Sequence, residues 1–183
     1  MTRKEKKSRF KATLHRPAKS GDDSPWAFVV LPKIVSAKLP RRGRTTVEGT
    51  MNGHPFQATL EPDGKLSHWL NVTKALQEAA GANIGDVARF EIMPVDQEPE
   101  PEIPSDLRDA LAASPGMRAA WDETTTLARL DWIHWITSAK QAKTRAQRIS
   151  NMADMLASGK RKVCCFDSSG YYSKAFCSPK PAD

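Results

Sequence analysis

The sequence predicts an α+β protein: a small, partly open β-barrel with one short helix, followed by a C-terminal helical module. Three observations carry this. Residues 10–95 hold about six short apolar or alternating runs separated by turn signatures. "DQEPEPEIP" at 96–104 places four acids and three prolines in one stretch, a composition that neither packs nor continues a strand. Beyond it, apolar residues recur at helical spacing. A chain of 183 residues suits one large domain or two small ones.

The barrel elements follow in order. In "RFKATLH", Phe10, Ala12 and Leu14 alternate with Lys11, Thr13 and His15, the period of a half-buried strand. "SGDDSP" is a turn cluster, and "WAFVVLP" reads as a buried strand ended by Pro32. "TTVEGTMNGHPFQATLEPDGKLSHWLNV" predicts a meander with strands over 45–51, 54–61 and 65–72. Asn52-Gly53 suits its first, two-residue turn, where both central residues need positive φ. Pro62-Asp63-Gly64 suits the second, longer turn. Gly49 predicts a bulge or tight bend, and Pro55 an edge or strand start. Thr73 caps a short helix, "TKALQEAAG", with Gly81 as its stop. "NIGDVARFEIMPV" supplies the last strand.

This divides the chain into a flexible basic arm (1–9), a barrel domain (10–95), an acidic proline-rich linker (96–104), a helical module (105–160) and an irregular cysteine- and aromatic-bearing tail (161–183). In the helical half, Ser105 is a candidate cap, and Ser114 before Pro115 is a favoured helix start. The threonines at 124–126 would begin a longer helix through Lys140. Thr144 and Gln147 have capping-box spacing, which predicts a new helix from there to Gly159. The tail "KRKVCCFDSSGYYSKAFC" suits an irregular hairpin folded back on the body.

The formal net charge is +7, and it is distributed in blocks. Residues 1–95 carry 16 basic and 9 acidic groups, 96–131 carry 3 and 9, and 132–183 carry 9 and 3. An acidic middle beside a basic end can neutralise itself, which weakens any inference to nucleic acid from charge alone. No apolar run approaches the ~20 residues of a spanning helix. The basic N-terminus has no apolar segment behind it, so a cytoplasmic, soluble protein is the expectation.

Chemistry is sparse. Phosphate-binding loops, dinucleotide fingerprints and nucleophile elbows are absent from the sequence. His15, His54, His68 and His134 are scattered, and His68 faces away from Trp69 on its strand. Cys164, Cys165 and Cys177 are odd in number and confined to the tail, which argues against a disulfide framework. Adjacent cysteines lack zinc-ligand spacing and the tail has no histidine, so reduced thiols are expected, with no metal and no cofactor. The expectation is a non-catalytic protein.

The basic stretch "HWITSAKQAKTRAQRIS" is the exception. On one uninterrupted helical wheel, Trp132, Trp135, Ala139, Ala142, Ala146, Ile149, Ala153 and Leu156 fall within about 120°, the width of a core-facing stripe. Lys140 lies nearly opposite. Lys143 and Arg145 flank the stripe, and Arg148 lies between Lys140 and Arg145. A helix beginning at Thr144 would offer free N–H groups to an anion, with Lys140, Arg145 and Arg148 closing on it. Two other readings remain open: a solvated face, or arginines paired with acids of the 96–123 block.

These residues resemble the signature of the YdeI/OmpD-associated (OmdA) family of bacteriocin-protection proteins. The matches are Trp135-Ile136, Ala139-Lys140, Thr144-Arg145 and Arg148-Ile149. The family often has proline before Thr-Arg, where this chain has "QAK". The first half is similar to the small uncharacterised β domain that often precedes that module, through "WAFVVLP", "VEGTMNGHPFQATLEPDG", "LNVTKALQEAAG" and "IGDV". The resemblance implies a double-split-like barrel and a binding or stress-tolerance role. On this reading Lys140, Thr144, Arg145 and Arg148 would meet an anionic ligand or a protein partner. The alternative is a nucleic-acid-binding regulator using Arg41, Arg42 and Arg44 of "LPRRGR", and the second alternative is an uncharacterised enzyme.

Overall fold

The structure, a computed structural model, describes residues 7–19, 26–163 and 177–182. They form two compact units that divide between Gln97 and Glu98, with residues 177–182 belonging to the first.

The first unit is a six-stranded antiparallel sheet. Its strands are β1 (Ser8–Thr13), β2 (Ala27–Val30), β3 (Thr45–Met51), β4 (His54–Pro62), β5 (His68–Val72) and β6 (Val87–Pro94). The spatial order is β1-β6-β3-β4-β5-β2. Its two ends meet where His15 and Phe28 exchange N–H···O bonds of 2.9 Å in each direction. The barrel is thereby nearly closed. Alternation along the strands fills it: Ala88, Phe90 and Ile92 of β6 point inward while Val87 and Arg89 are exposed. Leu14, Val29, Val47, Met51, Leu60, Leu70 and Val72 complete the core.

Turn chemistry acts as expected at three places. Asn52 and Gly53 take φ of 50° and 88° between β3 and β4. Thr73 accepts the Leu76 N–H at 3.2 Å to start α2 (Lys74–Ala79). Gly81 follows that helix with φ of 61°.

Gly49 is a correction. It sits in unbroken register between Phe56 and Ile92, not in a bulge. A Cβ there would lie 1.8 Å from the Glu91 carbonyl oxygen, so glycine is needed for the close approach of β6. Two further details differ from the sequence reading. Pro32 leads into a single helical turn, α1 (Lys33–Ser36), and β5 begins only at His68. The turn between β4 and β5 is longer because Asp63 folds it inward. Its carboxylate accepts the N–H groups of Lys65 and Ser67 at 2.7 and 2.8 Å.

The second unit holds α3 (Ser105–Ala113), α4 (Pro115–Asp122), α5 (Thr126–Thr137) and α6 (Ala142–Ala157). Leu107, Leu111, Trp121, Trp132, Ile136, Met152 and Leu156 form its core. Ser114 and Thr125 cap α4 and α5. Ser105 does not cap α3. It is the first helical residue, and the neighbouring Asp106 carboxylate takes the Leu107 N–H at 3.0 Å instead.

The anticipated linker is partly engaged. Glu100 accepts from Thr126 Oγ1 at 2.6 Å and Arg129 at 2.9 Å. These contacts hold its carboxyl below the usual range, the Thr126 bond contributing most.

Residues 164–176, which include Cys164, Cys165 and most of the expected tail hairpin, lie outside the described residues. Further on, Ala18 N–H donates to Lys180 at 2.8 Å and Ala182 N–H to Arg16 at 2.7 Å. Cys177 is an exposed free thiol. Among the described residues no helix is long and apolar enough to cross a membrane. Nor does any group of three His, Cys, Asp or Glu among them stand ready for a metal ion.

Candidate functional site

The basic stretch does not form one helix. α5 ends at Thr137, short of Lys140, and α6 begins at Ala142, two residues before Thr144. The break therefore replaces the capping box as the helix start. Its consequence for packing is direct. Trp132 and Ile136 are fully buried and Trp135 partly so, but Ala142 and Ala146 are exposed. The wheel fails there because residues 138–141 reset the phase between the two helices.

The start of α6 is unusually open. Gln141 occupies the cap position but supplies no side-chain bond, and the first turn has no acidic residue. Three backbone N–H groups at such an end have no partner inside the helix, and the macrodipole makes it positive. Lys140, Lys143 and Thr144 are exposed around it.

The two arginines are committed inward. Arg145 forms a fork with Asp106 on the first turn of α3. Its Nε donates to Oδ2, and the second bond is 3.0 Å. The guanidinium holds the Asp106 carboxyl below its usual range, against partial burial and with help from the Leu107 N–H. Reciprocally, Asp106 raises the Arg145 value. Of the two other readings, pairing with an acid of the 96–123 block describes Arg145.

Arg148 has a different task. Its Nη1 donates to the Trp135 carbonyl and, at 2.9 Å, to Ser138 Oγ. Its charge also lies 5.3 Å from the Trp135 ring centroid. It thus satisfies a carbonyl at the end of α5, where helices carry negative character. Lys140 and Thr144 therefore stand at the surface, while Arg145 and Arg148 fasten α6 to α3 and α5. No local sequence signal encoded those long-range partners.

The "RRGR" arginines also separate. Arg42 is exposed and donates to the Leu66 carbonyl at 3.2 Å, and Arg41 is half-buried on the same loop. Arg44 is 5% exposed, with Nε 2.7 Å from Glu61, so it is turned away from any surface ligand. Thr45 lies opposite Leu60, so Arg44, one residue earlier, falls beside Glu61 of β4.

Sequence reasoning missed a buried Ser–His contact in the barrel. Ser36 Oγ lies 2.6 Å from His68 Nδ1, and His68 Nε2 is 2.9 Å from the Gly43 carbonyl. The carbonyl can only accept, so Nε2 carries the proton and Ser36 donates to Nδ1. Both side chains are buried, at 1% and 0% exposure, and so neither is open to a substrate. The bond ties α1 and the loop around Gly43 to β5. Ser36 carried no signal because α1 itself was not foreseen.

Comparison with known families fits the two units. No curated protein matches the chain. Residues 10–92 match a domain of unknown function (DUF1905), and residues 100–159 match the family described as bacteriocin-protection, YdeI or OmpD-associated. Taken unit by unit, the barrel is similar to DUF1905 and the helical unit to the bacteriocin-protection, YdeI or OmpD-associated family.

Proposed function

We propose that the protein is a non-catalytic binding protein of the bacteriocin-protection type whose helical module receives an anionic group at the start of α6. The observation that supports this best is the uncapped first turn of α6, free of acids and flanked by exposed Lys140 and Thr144. Lys140 and Thr144 are the direct contacts. Arg148 positions the turn by fixing the end of α5. Arg145 orients the helix through Asp106.

The test has a molecular and a cellular arm. Titrating the full chain with inorganic phosphate at low salt should shift the amide resonances of Ala142, Lys143 and Thr144 saturably. The double substitution Lys140→Glu with Thr144→Ala should abolish that shift while the fold is retained. Cells carrying that variant should lose protection against an antimicrobial peptide that the wild-type protein restores. Amides of α6 that ignore phosphate at low ionic strength would refute the anion site.

A further inference from the structure

We propose that the outer face of the β1–β6 pair is a second, separate binding site for a compact phosphoryl anion, with Lys11 and Arg89 as its direct contacts. The register carries this. Lys11 lies directly opposite Arg89, and both are exposed on the same face. Like charges placed opposite each other in an antiparallel pair destabilise it. Among the described residues neither side chain has a hydrogen-bond or ion-pair partner.

The neighbouring pair shows how this face is otherwise neutralised. Arg9 lies opposite Glu91, and Lys7 also reaches that carboxylate. Glu91 is engaged by those two cations, which hold its carboxyl below the usual range, Lys7 first and Arg9 second. Among the described residues Lys11 and Arg89 have no share in that carboxylate, and surplus positive charge sits with them.

The surplus faces a formed concavity. A cavity of about 590 Å³ is lined by Arg9, Lys11, Arg89 and Glu91 together with Thr50 and Asn52. Asn52 makes a rigid wall: its Oδ1 accepts the Arg89 N–H at 2.9 Å and its Nδ2 donates to Ala80 at 3.3 Å. A volume of this size suits a small ligand. A phosphoryl dianion would remove the like-charge repulsion and accept charge-assisted bonds from both cations. Phe10 and Phe90 also line the cavity, but Phe90 is buried and the two rings stack on each other at 5.1 Å, which favours a compact phosphate over a nucleic-acid strand whose bases need free ring faces.

This site lies in the barrel and does not rest on the α6 reading. The probe is pyrophosphate, titrated into the full chain at low salt and followed by amide shifts and melting temperature. Saturable shifts at Lys11 and Arg89 with a rise in melting temperature are expected. Arg89→Gln, and independently Lys11→Gln, should each weaken pyrophosphate roughly tenfold. Each should also raise the ligand-free melting temperature, by about 1–4 °C, because repulsion is relieved. A merely structural cation would give the opposite sign. The Lys140→Glu, Thr144→Ala variant should keep wild-type shifts in the barrel, so the two sites fail separately. The proposal is overturned if pyrophosphate leaves β1 and β6 unmoved, or if both glutamine variants keep full affinity. It is equally overturned if both variants melt lower. Binding of a 5′-hydroxyl oligonucleotide, which offers phosphodiesters alone, in preference to pyrophosphate would also overturn it.

Discussion

Replacing Arg148 by alanine tests whether this residue holds the helical unit together or waits for a ligand. The wild-type guanidinium donates to the Trp135 carbonyl and to Ser138, and it rests on the Trp135 ring. A hydrogen bond to a charged donor contributes about 1.5–3 kcal/mol. A cation over an aromatic face adds about 0.5–1 kcal/mol at a partly exposed site. One group makes all these contacts, so they do not simply add. A loss of about 2 kcal/mol is therefore expected. For a unit of this size that is a fall of about 8–16 °C in its melting transition. Thermal and urea unfolding, followed by tryptophan fluorescence, would measure it. Trp135 should also become more solvated, shifting emission to the red. Arg148→Lys should recover only part of the loss, because the shorter side chain with a compact ammonium gives up the planar contact of the guanidinium with the Trp135 ring. A cation that only faces solvent costs less than about 0.5 kcal/mol to remove. A change that small for Arg148→Ala, with unchanged fluorescence, would refute the assigned role.

Three further outcomes follow from the same geometry. Gly49→Ala should destabilise the barrel by about 2–3 kcal/mol in urea unfolding, since its methyl would meet the Glu91 carbonyl at 1.8 Å and β3 would have to part from β6. Acidification should weaken the helical unit. Arg145 holds Asp106 below its unfolded value of about 3.9, so the pair's contribution is complete above that pH and is lost as pH falls through the lower folded value. Asp106→Asn should flatten the acid limb of a melting-temperature profile. Ser36→Ala should cost about 1–2 kcal/mol in barrel stability, because it leaves the buried Nδ1 of His68 without its donor.

What was legible in the sequence was local. Asn52-Gly53, Thr73, Ser114 and Gly81 act through residues within a few positions of themselves, so turn and cap chemistry revealed them. Strand alternation likewise gave the inward face of β1. What was hidden depends on partners far along the chain. Gly49 looked like a bulge because its reason is a carbonyl 42 positions away on β6. The break at 138–141 carried no proline, and part of what fixes it is a guanidinium reaching back from Arg148. The candidate site was affected in the same way. The sequence grouped four polar residues around an expected helix start, but which of them face outward depended on Asp106 and Trp135. Arg44 was misjudged for a related reason. A glycine-containing loop suggested exposure, yet Glu61 on β4 receives its side chain.

The meeting of His15 with Phe28 has a consequence for self-association. Open sheets can recruit another chain by adding a strand to a bare margin, the usual route to fibres and swapped assemblies. Here the margins of the first and last strands are joined to each other, and the backbone just beyond them, at Arg16 and Ala18, is occupied by residues 180 and 182. Strand addition is thereby hindered where the margins meet, which turns association there toward side-chain surfaces, where charge can regulate it.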